Sequence, residues 1–425
     1  MTVYTVRPGD SLYGIARRFG VPWSRIASAN ALTNPNRLAV GQNLVIPSGT
    51  VRHTVMKGET LYDLAKQYGV SLKSIIDANP NIENPDLLQV GQIVIVPGSE
   101  KLGSIDVNGY AFPTTSAQTL ANTVPYLTYI SMFSYDVRPD GTLSPLDDTR
   151  IIDTAQSMNT AALMVVSNIR EGGSFDSELA SVVLNDEGTK QALWSNILEI
   201  MKEKDFYGLN LDFEYVYPRD RDAYNAFVQQ TAELMHENGY ILVTNLAPKL
   251  SGEQQGTLYE AHDYGFHGQF ADLVILMTYE WGYTYGPARA VAPIDQVERV
   301  LEYAVSVMPS KKILMGMPNY GYDWTLPFVR GSAARALSNQ AAVELALEVG
   351  AEIRYDERAQ SPYFNYTDKS GKQHVVYFDD ARSILARLAL VSEYNLAGVS
   401  YWNINTFFRP NWEVLSSMYD INKVI

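Results

Sequence analysis

The chain has 425 residues, 46% hydrophobic and 19% charged, the composition of a folded protein too long for one ordinary core. Its formal net charge of -14 argues against nucleic acid as a partner, and with no cysteine it has no disulfide, thiolate zinc site or cysteine nucleophile. No apolar run approaches the ~18 residues of a membrane helix, so no membrane span is expected.

Met1 is followed at once by the strand-like Val3-Tyr4-Thr5-Val6, without a basic start or an apolar stretch, and the expectation is a chain with no secretory signal peptide. An internal repeat then dominates the first hundred residues. Tyr4-Thr5-Val6-Arg7-Pro8-Gly9-Asp10-Ser11-Leu12-Tyr13 aligns with His53-Thr54-Val55-Met56-Lys57-Gly58-Glu59-Thr60-Leu61-Tyr62. Gly20-Val21 and Ala29-Asn30 align with Gly69-Val70 and Ala78-Asn79, and after a one-residue insertion Val40-Gly41-Gln42 and Pro47 align with Val90-Gly91-Gln92 and Pro97. Each unit reads strand, helix, helix, strand. Asp10-Ser11 and Glu59-Thr60 are polar helix starts, Leu12, Ile15, Ala16 and Phe19 fall at helical spacing, and Gly20 is a stop. Residues 1–50 carry Arg7, Arg17, Arg18, Arg25 and Arg37 against Asp10 alone, and 51–98 are nearly balanced, so the acidity lies in the rest of the chain. Neither unit holds a pair of titratable groups arranged for chemistry, which points to binding.

Both units, 1–48 and 51–98, closely resemble the LysM module, which binds glycans containing N-acetylglucosamine in a shallow groove. The resemblance implies that Gly9, Asp10, Ser11 and Asn30, with Gly58, Glu59, Thr60 and Asn79, lie at or near the grooves. A purely structural reading stands beside it, in which Asp10 and Thr60 cap helices and Asn30 and Asn79 terminate them. Gly49-Thr50 and Gly98–Ser104 read as linkers, the first short enough to make the pair stiff.

From about residue 104 to 425, strand-like runs alternate with helical stretches. The runs are Asn108–Phe112, Tyr126–Phe133, Ala162–Ser167, Leu209–Phe213, Ile241–Leu246, Leu273–Thr278, Ile313–Pro318 and Ala397–Trp402. Patterns such as Gln191–Lys202, Asp222–Glu237 and Asp295–Val307 separate them. Eight such runs predict an α/β chain folded as a (β/α)8 TIM barrel. The long gap before the eighth run, about 323–378, contains Tyr355, Tyr363-Phe364-Asn365-Tyr366 and Val375-Val376-Tyr377-Phe378 and reads as a small α+β insertion.

The chemistry concentrates in Gly208-Leu209-Asn210-Leu211-Asp212-Phe213-Glu214-Tyr215. Strand alternation sends Leu209, Leu211 and Phe213 toward the helices and Asn210, Asp212 and Glu214 into the barrel, with the two carboxylates ~7 Å apart along the backbone. Inward carboxylates at a barrel top are costly unless hydrogen-bonded or used, and their proximity raises one pKa, which suits a general acid. The alternative is a polar network that merely fills the barrel.

This strand resembles the Asp-x-x-Asp-x-Asp-x-Glu signature of glycoside hydrolase family 18. Met277-Thr278-Tyr279-Glu280 is similar to the family's Met-x-Tyr-Asp, Trp402 to the tryptophan flooring its sugar subsite, and Ser167-Asn168…Gly172-Gly173 to a stretched Ser-x-Gly-Gly. The resemblance implies substrate-assisted retaining hydrolysis, in which the substrate's acetamide oxygen attacks the anomeric carbon. It implies that Glu214 is the acid and then the base, that Asp212 orients the acetamide, that Tyr279 donates to its oxygen and that Trp402 stacks on the ring. Met277, Glu280, Trp281 and Asn245 are further candidate contacts, and no metal or cofactor is called for. Three positions depart from the pattern: Tyr207 and Asn210 replace aspartates and Glu280 is one methylene longer than the usual residue. Asn210 is expected to donate to Asp212 and to narrow or shift the pH optimum rather than abolish activity. Tyr215, Tyr217, Tyr283, Tyr285 and Trp324 are further aromatics expected near the barrel top, while His262 and His267 read as loop histidines.

The arrangement of modules resembles spore-associated family members acting on cortex peptidoglycan as N-acetylglucosaminidases. The implied partner is peptidoglycan or its fragments and the implied location the spore. The alternatives are a chitinase and a non-catalytic glycan-binding coat protein.

Overall fold

The computed structural model describes residues 1–47, 49, 51–68, 70–82, 84–85, 87–98, 100–170 and 173–425; the expected linker residues Thr50 and Ser99, the helix stop Gly69 and Gly172 of the Ser-x-Gly-Gly likeness lie outside them. Each repeat forms the expected βααβ unit. The first comprises β1 (Thr2–Thr5), α1 (Leu12–Phe19), α2 (Trp23–Ala29) and β2 (Asn43–Ile46), with β1 and β2 antiparallel. Ser11 caps α1 by accepting from Gly14 N, and Gly20 closes it in the left-handed conformation at φ 63° that glycine adopts without strain. The second comprises β3 (Val51–Thr54), α3 (Leu61–Tyr68), α4 (Leu72–Ala78) and β4 (Ile93–Val96). The repeats bury their apolar helix faces in one shared core, where Phe19 meets Tyr68 edge to face at 5.8 Å. Sharing a core offsets the small apolar area a unit of this size buries alone.

The barrel strands follow as β5 (Ser104–Ala111), β6 (Tyr129–Asp136) and β7 (Ala161–Ser167), then a short hairpin of β8 (Ile169–Arg170) and β9 (Ser174–Phe175), then β10 (Gly208–Asp212), β11 (Ile241–Leu246), β12 (Leu273–Leu276) and β13 (Ile313–Pro318). Next come β14 (Tyr320–Leu326), β15 (Arg335–Ser338), β16 (Arg354–Asp356), β17 (Ser361–Thr367) and β18 (Gln373–Tyr377), and the last barrel strand is β19 (Gly398–Trp402), with β20 (Asp420–Ile421) alongside β5. The helices are α5 (Ala117–Thr123), α6 (Thr149–Gln156), α7 (Ser177–Asn185), α8 (Glu187–Glu203), α9 (Arg221–Glu237), α10 (Tyr264–Phe270), α11 (Ile294–Val307), α12 (Asn339–Val349), α13 (Ala381–Glu393) and α14 (Arg409–Met418). Eight strands, β5, β6, β7, β10, β11, β12, β13 and β19, are hydrogen-bonded in parallel in that order, and β19 returns to β5 to close the barrel. Strand β7, covered on both faces, is apolar from Ala161 to Val166. Leu209, Leu211 and Phe213 pack toward the helices, while Tyr110, Leu163, Val165, Val243 and Ile275 fill the interior.

Between β13 and β19 stands the insertion, in which β14 to β18 form a five-stranded antiparallel sheet with α12 packed on it. Strand β6 begins three residues later than its apolar run suggests, because Pro125 starts a helical turn at Val124–Tyr126.

Candidate active site

The barrel interior beneath the strand ends is a neutral hydrogen-bonded ladder. Asn210 on β10 donates to Tyr110 Oη at 2.9 Å and Ser131 Oγ at 3.0 Å, and it accepts from Asn245 Nδ2 at 3.0 Å. Tyr110 donates to Asn245 Oδ1, closing a ring, and Ser131 and Ser400 continue the chain through Asn108. The expected bond from Asn210 to Asp212 is therefore absent: both amide hydrogens of Asn210 are already given to hydroxyls on β5 and β6. Asn210 is fully buried and lies under the cleft rather than in its wall.

Above the ladder lies a cleft of about 700 Å³ at the C-terminal ends of the strands. It is lined by Asp212, Glu214, Asn245, Met277, Tyr279, Glu280, Trp281 and Trp402, so eight residues singled out in the sequence face one space. Asp212 is 4% exposed and its Oδ1 has no hydrogen-bond partner. Burial pushes its carboxyl above the usual range, with the neighbouring Asn245 amide acting the other way. Burial, then the charges of Asp212 and Glu280, push Glu214 well above the usual range, which favours a protonated side chain. Burial likewise holds the Tyr279 phenol protonated as a hydroxyl donor.

The strand reading ran too far at Glu214. The ladder of β10 ends at Asp212, and Tyr215 turns away at φ 54°. The backbone of Glu214 is caught by a side chain: Asn168, just past β7, accepts from Glu214 N at 2.9 Å and donates to Glu214 O at 2.9 Å. Asn168 is itself held by the carbonyl of Asp176, the N-cap of α7, whose carboxylate pairs with Arg170. Glu280 also follows its strand, at φ 65°, and accepts from the hydroxyls of Tyr320 and, at 3.0 Å, Tyr322. Its extra methylene is thus used to reach the insertion.

Trp402 stands half-buried in the cleft, edge-on to Phe133 at 4.8 Å and to Tyr110 at 5.3 Å, with Phe112 behind. Sequence reasoning assigned no role to Tyr110, Phe112, Phe133, Phe175 or Tyr259, which complete the aromatic lining. Tyr110, Phe112 and Phe175 stand at or near strand ends and Phe133 within β6, whereas Tyr259 comes from the loop between β11 and α10, where no strand pattern points to it. Of the other expected aromatics, Tyr215 and Tyr283 line the cleft and Tyr217 and Tyr285 do not. Trp324 is buried instead, its indole donating to Gly286 O, because β14 carries it into the sheet of the insertion.

His262 bridges two strand ends: Nδ1 accepts from Ala247 N and Nε2 faces Phe213 O. Burial lowers its pKa to about 4 and keeps it neutral. Among the described residues no three His, Asp or Glu side chains gather as a metal site, and no helix is long and apolar enough to cross a membrane.

In the repeats, Gly9 and Gly58 form matching turns at φ 87° and 86°. Asp10 accepts from Tyr4 Oη and Arg7 N, and Glu59 from His53 Nε2 and Met56 N; neither caps a helix. Ser11 caps α1 and Thr60 accepts from Asp63 N in the first turn of α3. Asn30 and Asn79 are each held by their own unit. Both are buried, and each amide donates to its helix (Ile26 O, Ile75 O) and exchanges two bonds with the closing strand at Val45 and Ile95. With every amide group engaged, they tie the second helix of each unit to its last strand.

A closed parallel barrel with carboxylates at its C-terminal mouth is a scaffold that glycosidases share with other enzymes, and the chain belongs to the glycosyl hydrolases of family 18, whose model matches residues 107–406. It is a glycoside hydrolase, and the LysM domain matches at 4–47 and 53–97 give it two glycan-binding units. It is 43% identical to the cortical fragment-lytic enzyme of Bacillus subtilis (strain 168), over 100% of this chain and 99% of that one. It is 40% identical to the cortical fragment-lytic enzyme of Bacillus anthracis, over 99% of each. The crystal structure of the Bacillus megaterium QM B1551 spore cortex-lytic enzyme SleL superposes with a TM-score of 0.90 at 38% identity, covering 100% of this chain and 99% of that one.

Proposed function

We propose that this chain hydrolyses the β-1,4 bond after N-acetylglucosamine in spore-cortex peptidoglycan or its fragments, associated with the spore and held on the glycan by its LysM units. The observation that carries the reading is the floor of the cleft, where Glu214, held toward the protonated form, stands beside the buried Asp212 with its unpartnered oxygen. End-to-end likeness to two cortical fragment-lytic enzymes supports the choice of substrate.

In this mechanism Glu214 protonates the leaving oxygen, and as a carboxylate it then activates the water that opens the intermediate. The nucleophile is the substrate's own acetamide oxygen. Asp212 takes the acetamide N–H on its free oxygen and stabilises the positive charge of the oxazolinium ion. Tyr279 donates to the acetamide oxygen, and Asn245 fixes the acetamide region from β11. Trp402, with Trp281 and Met277, forms the apolar surface against which the sugar ring rests, since sugar C–H faces match aromatic rings. Glu280, fixed by Tyr320 and Tyr322, is a polar contact at the rim.

The test is mass spectrometry of cortex fragments after incubation with the wild type and with Glu214→Gln. Products ending in reducing N-acetylglucosamine, absent with the variant, are expected. Products ending in reducing muramic acid would show that the other linkage is cut. Turnover of chitin oligomers alone would make the chain a chitinase, and binding without turnover, indifferent to Glu214→Gln, a glycan-binding protein.

A further inference from the structure

The two repeats share a sequence pattern but not a surrounding. In the first, the stretch leading into β2 sits on the insertion of the barrel. Ile353 N donates to Val40 O at 2.9 Å, Arg37 donates to Leu347 O at 3.1 Å, and Asn43 donates to Asp380 at 3.1 Å. Gly41 approaches so closely that a Cβ there would lie 1.8 Å from Ile353 O. Pro8, Asp10 and Asn36 face the end of α12 across a narrow cleft, so one wall of the expected groove of this unit belongs to the catalytic domain.

In the second repeat the equivalents of Arg37, Val40 and Asn43 are Leu87, Val90 and Ile93, exposed by 72%, 69% and 46%. Gly91, at nearly the same φ as Gly41, would meet nothing with an added Cβ. Bonds from Gly91 N to Val55 O and from Val55 N to Gln92 O bring exposed Met56 beside Val90. Where the docked face is polar and matched to carbonyl and carboxylate partners, its counterpart is apolar and open. A patch of this kind marks an interaction surface.

We infer that the repeats have divided the work: the first is a fixed brace between the insertion and the second repeat, and the second alone offers this face to glycan. The inference rests on the reading that the LysM region holds the chain on peptidoglycan, and it narrows that contact to the second unit. A glycan strand is the occupant that fits, because the chain is a glycosidase with LysM matches and because acetamido methyls and sugar C–H faces suit the aliphatic side chains of Met56, Leu87, Val90 and Ile93. The shared core of the repeats fixes that surface relative to the barrel.

The experiment is co-sedimentation with insoluble spore-cortex peptidoglycan, using full-length protein carrying Glu214→Gln so that the glycan is not consumed. Leu87→Asp combined with Val90→Asp is expected to reduce the bound fraction at least tenfold, with an unchanged melting curve showing that the unit is folded. Arg37→Asp, at the seat of the first repeat, is expected to leave binding unchanged. Full binding by the Leu87/Val90 variant overturns the inference, as does loss of binding with Arg37→Asp alone. If light scattering finds a dimer that the Leu87/Val90 variant abolishes while its sedimentation persists, a second copy covers the face and the inference fails. Failure of the parent protein to sediment overturns the reading beneath it, and the inference with it.

Discussion

The barrel mouth and the LysM repeats both bury polar side chains, and they treat them in opposite ways. Asn30 and Asn79 engage every amide group within their own unit, so each buried polar atom is compensated. Asp212 is buried just as deeply with one oxygen unpartnered, beside a second carboxyl whose proton its charge retains. The first arrangement stabilises a fold. The second costs stability and makes sense only if something else completes it. Sequence patterns alone do not separate the two, since an inward Asn after a helix and an inward Asp on a strand both look like a polar residue in an unusual place.

The sharpest way to break this comparison is Glu214→Gln. It is expected to lower kcat by on the order of 10²–10⁴, the range for a lost general acid, measured on cortex fragments. Asp212→Asn should cost on the order of 10² in kcat, comparable to losing one preorganised group beside a developing charge. Neither variant should be less stable than wild type at neutral pH. The sign follows from the raised pKa values: a carboxyl pushed up by folding contributes stability that is present at low pH and lost as pH rises through its folded value. Removing the ionisable group removes that loss. Melting temperatures taken from pH 4 to 8 should therefore fall less steeply in both variants than in wild type. A variant that is destabilised equally at every pH would mean that the dyad is structural after all.

Smaller effects belong to side chains that act through others. Asn168→Ala frees both backbone groups of Glu214 and should lower kcat by roughly tenfold with KM unchanged, as expected when a reacting group is slightly misplaced. Asn168→Asp, which keeps the shape but loses the donor to Glu214 O, should not rescue it. Asn30→Ala makes the opposite case. It strands the buried N–H and C=O of Val45, while Ile26 O keeps the backbone N–H of residue 30, and should cost about 1–3 kcal/mol of stability in urea titration. Turnover of soluble fragments should not change, and a loss of turnover would mean that the first repeat reaches into catalysis.

What was legible in the chain follows from the range of each interaction. Alternation along β10 separates Leu209, Leu211 and Phe213 from Asn210 and Asp212, because side-chain direction in a strand is local. The repeat and its helices were likewise readable from spacing. The end of β10 was not, because what replaces its ladder is a side chain 46 residues away. Asn210 was assigned to Asp212, its nearest inward neighbour in sequence, but in a closed barrel the nearest partners come from other strands, here Tyr110 and Ser131. The burial of Trp324 and the seat of the first repeat on Ile353 depend on contacts across the whole chain, and no local pattern carries them.

Asn210→Asp tests whether the neutral ladder itself sets the pH dependence. The substitution places a carboxyl where two hydroxyls now accept hydrogen bonds, so Tyr110 and Ser131 must turn to donate or the new group must hold a proton. Both outcomes add a proton-binding site under a pair that already shares its charge poorly. Any negative charge gained there raises the pKa of Glu214 further, so the acid stays protonated to higher pH. The basic limb of the kcat/KM profile should therefore move upward, with the maximum rate altered only a few-fold. An unchanged profile would mean that Asn210 only fills the barrel and that the pH dependence arises entirely above it, among Asp212, Glu214 and Glu280.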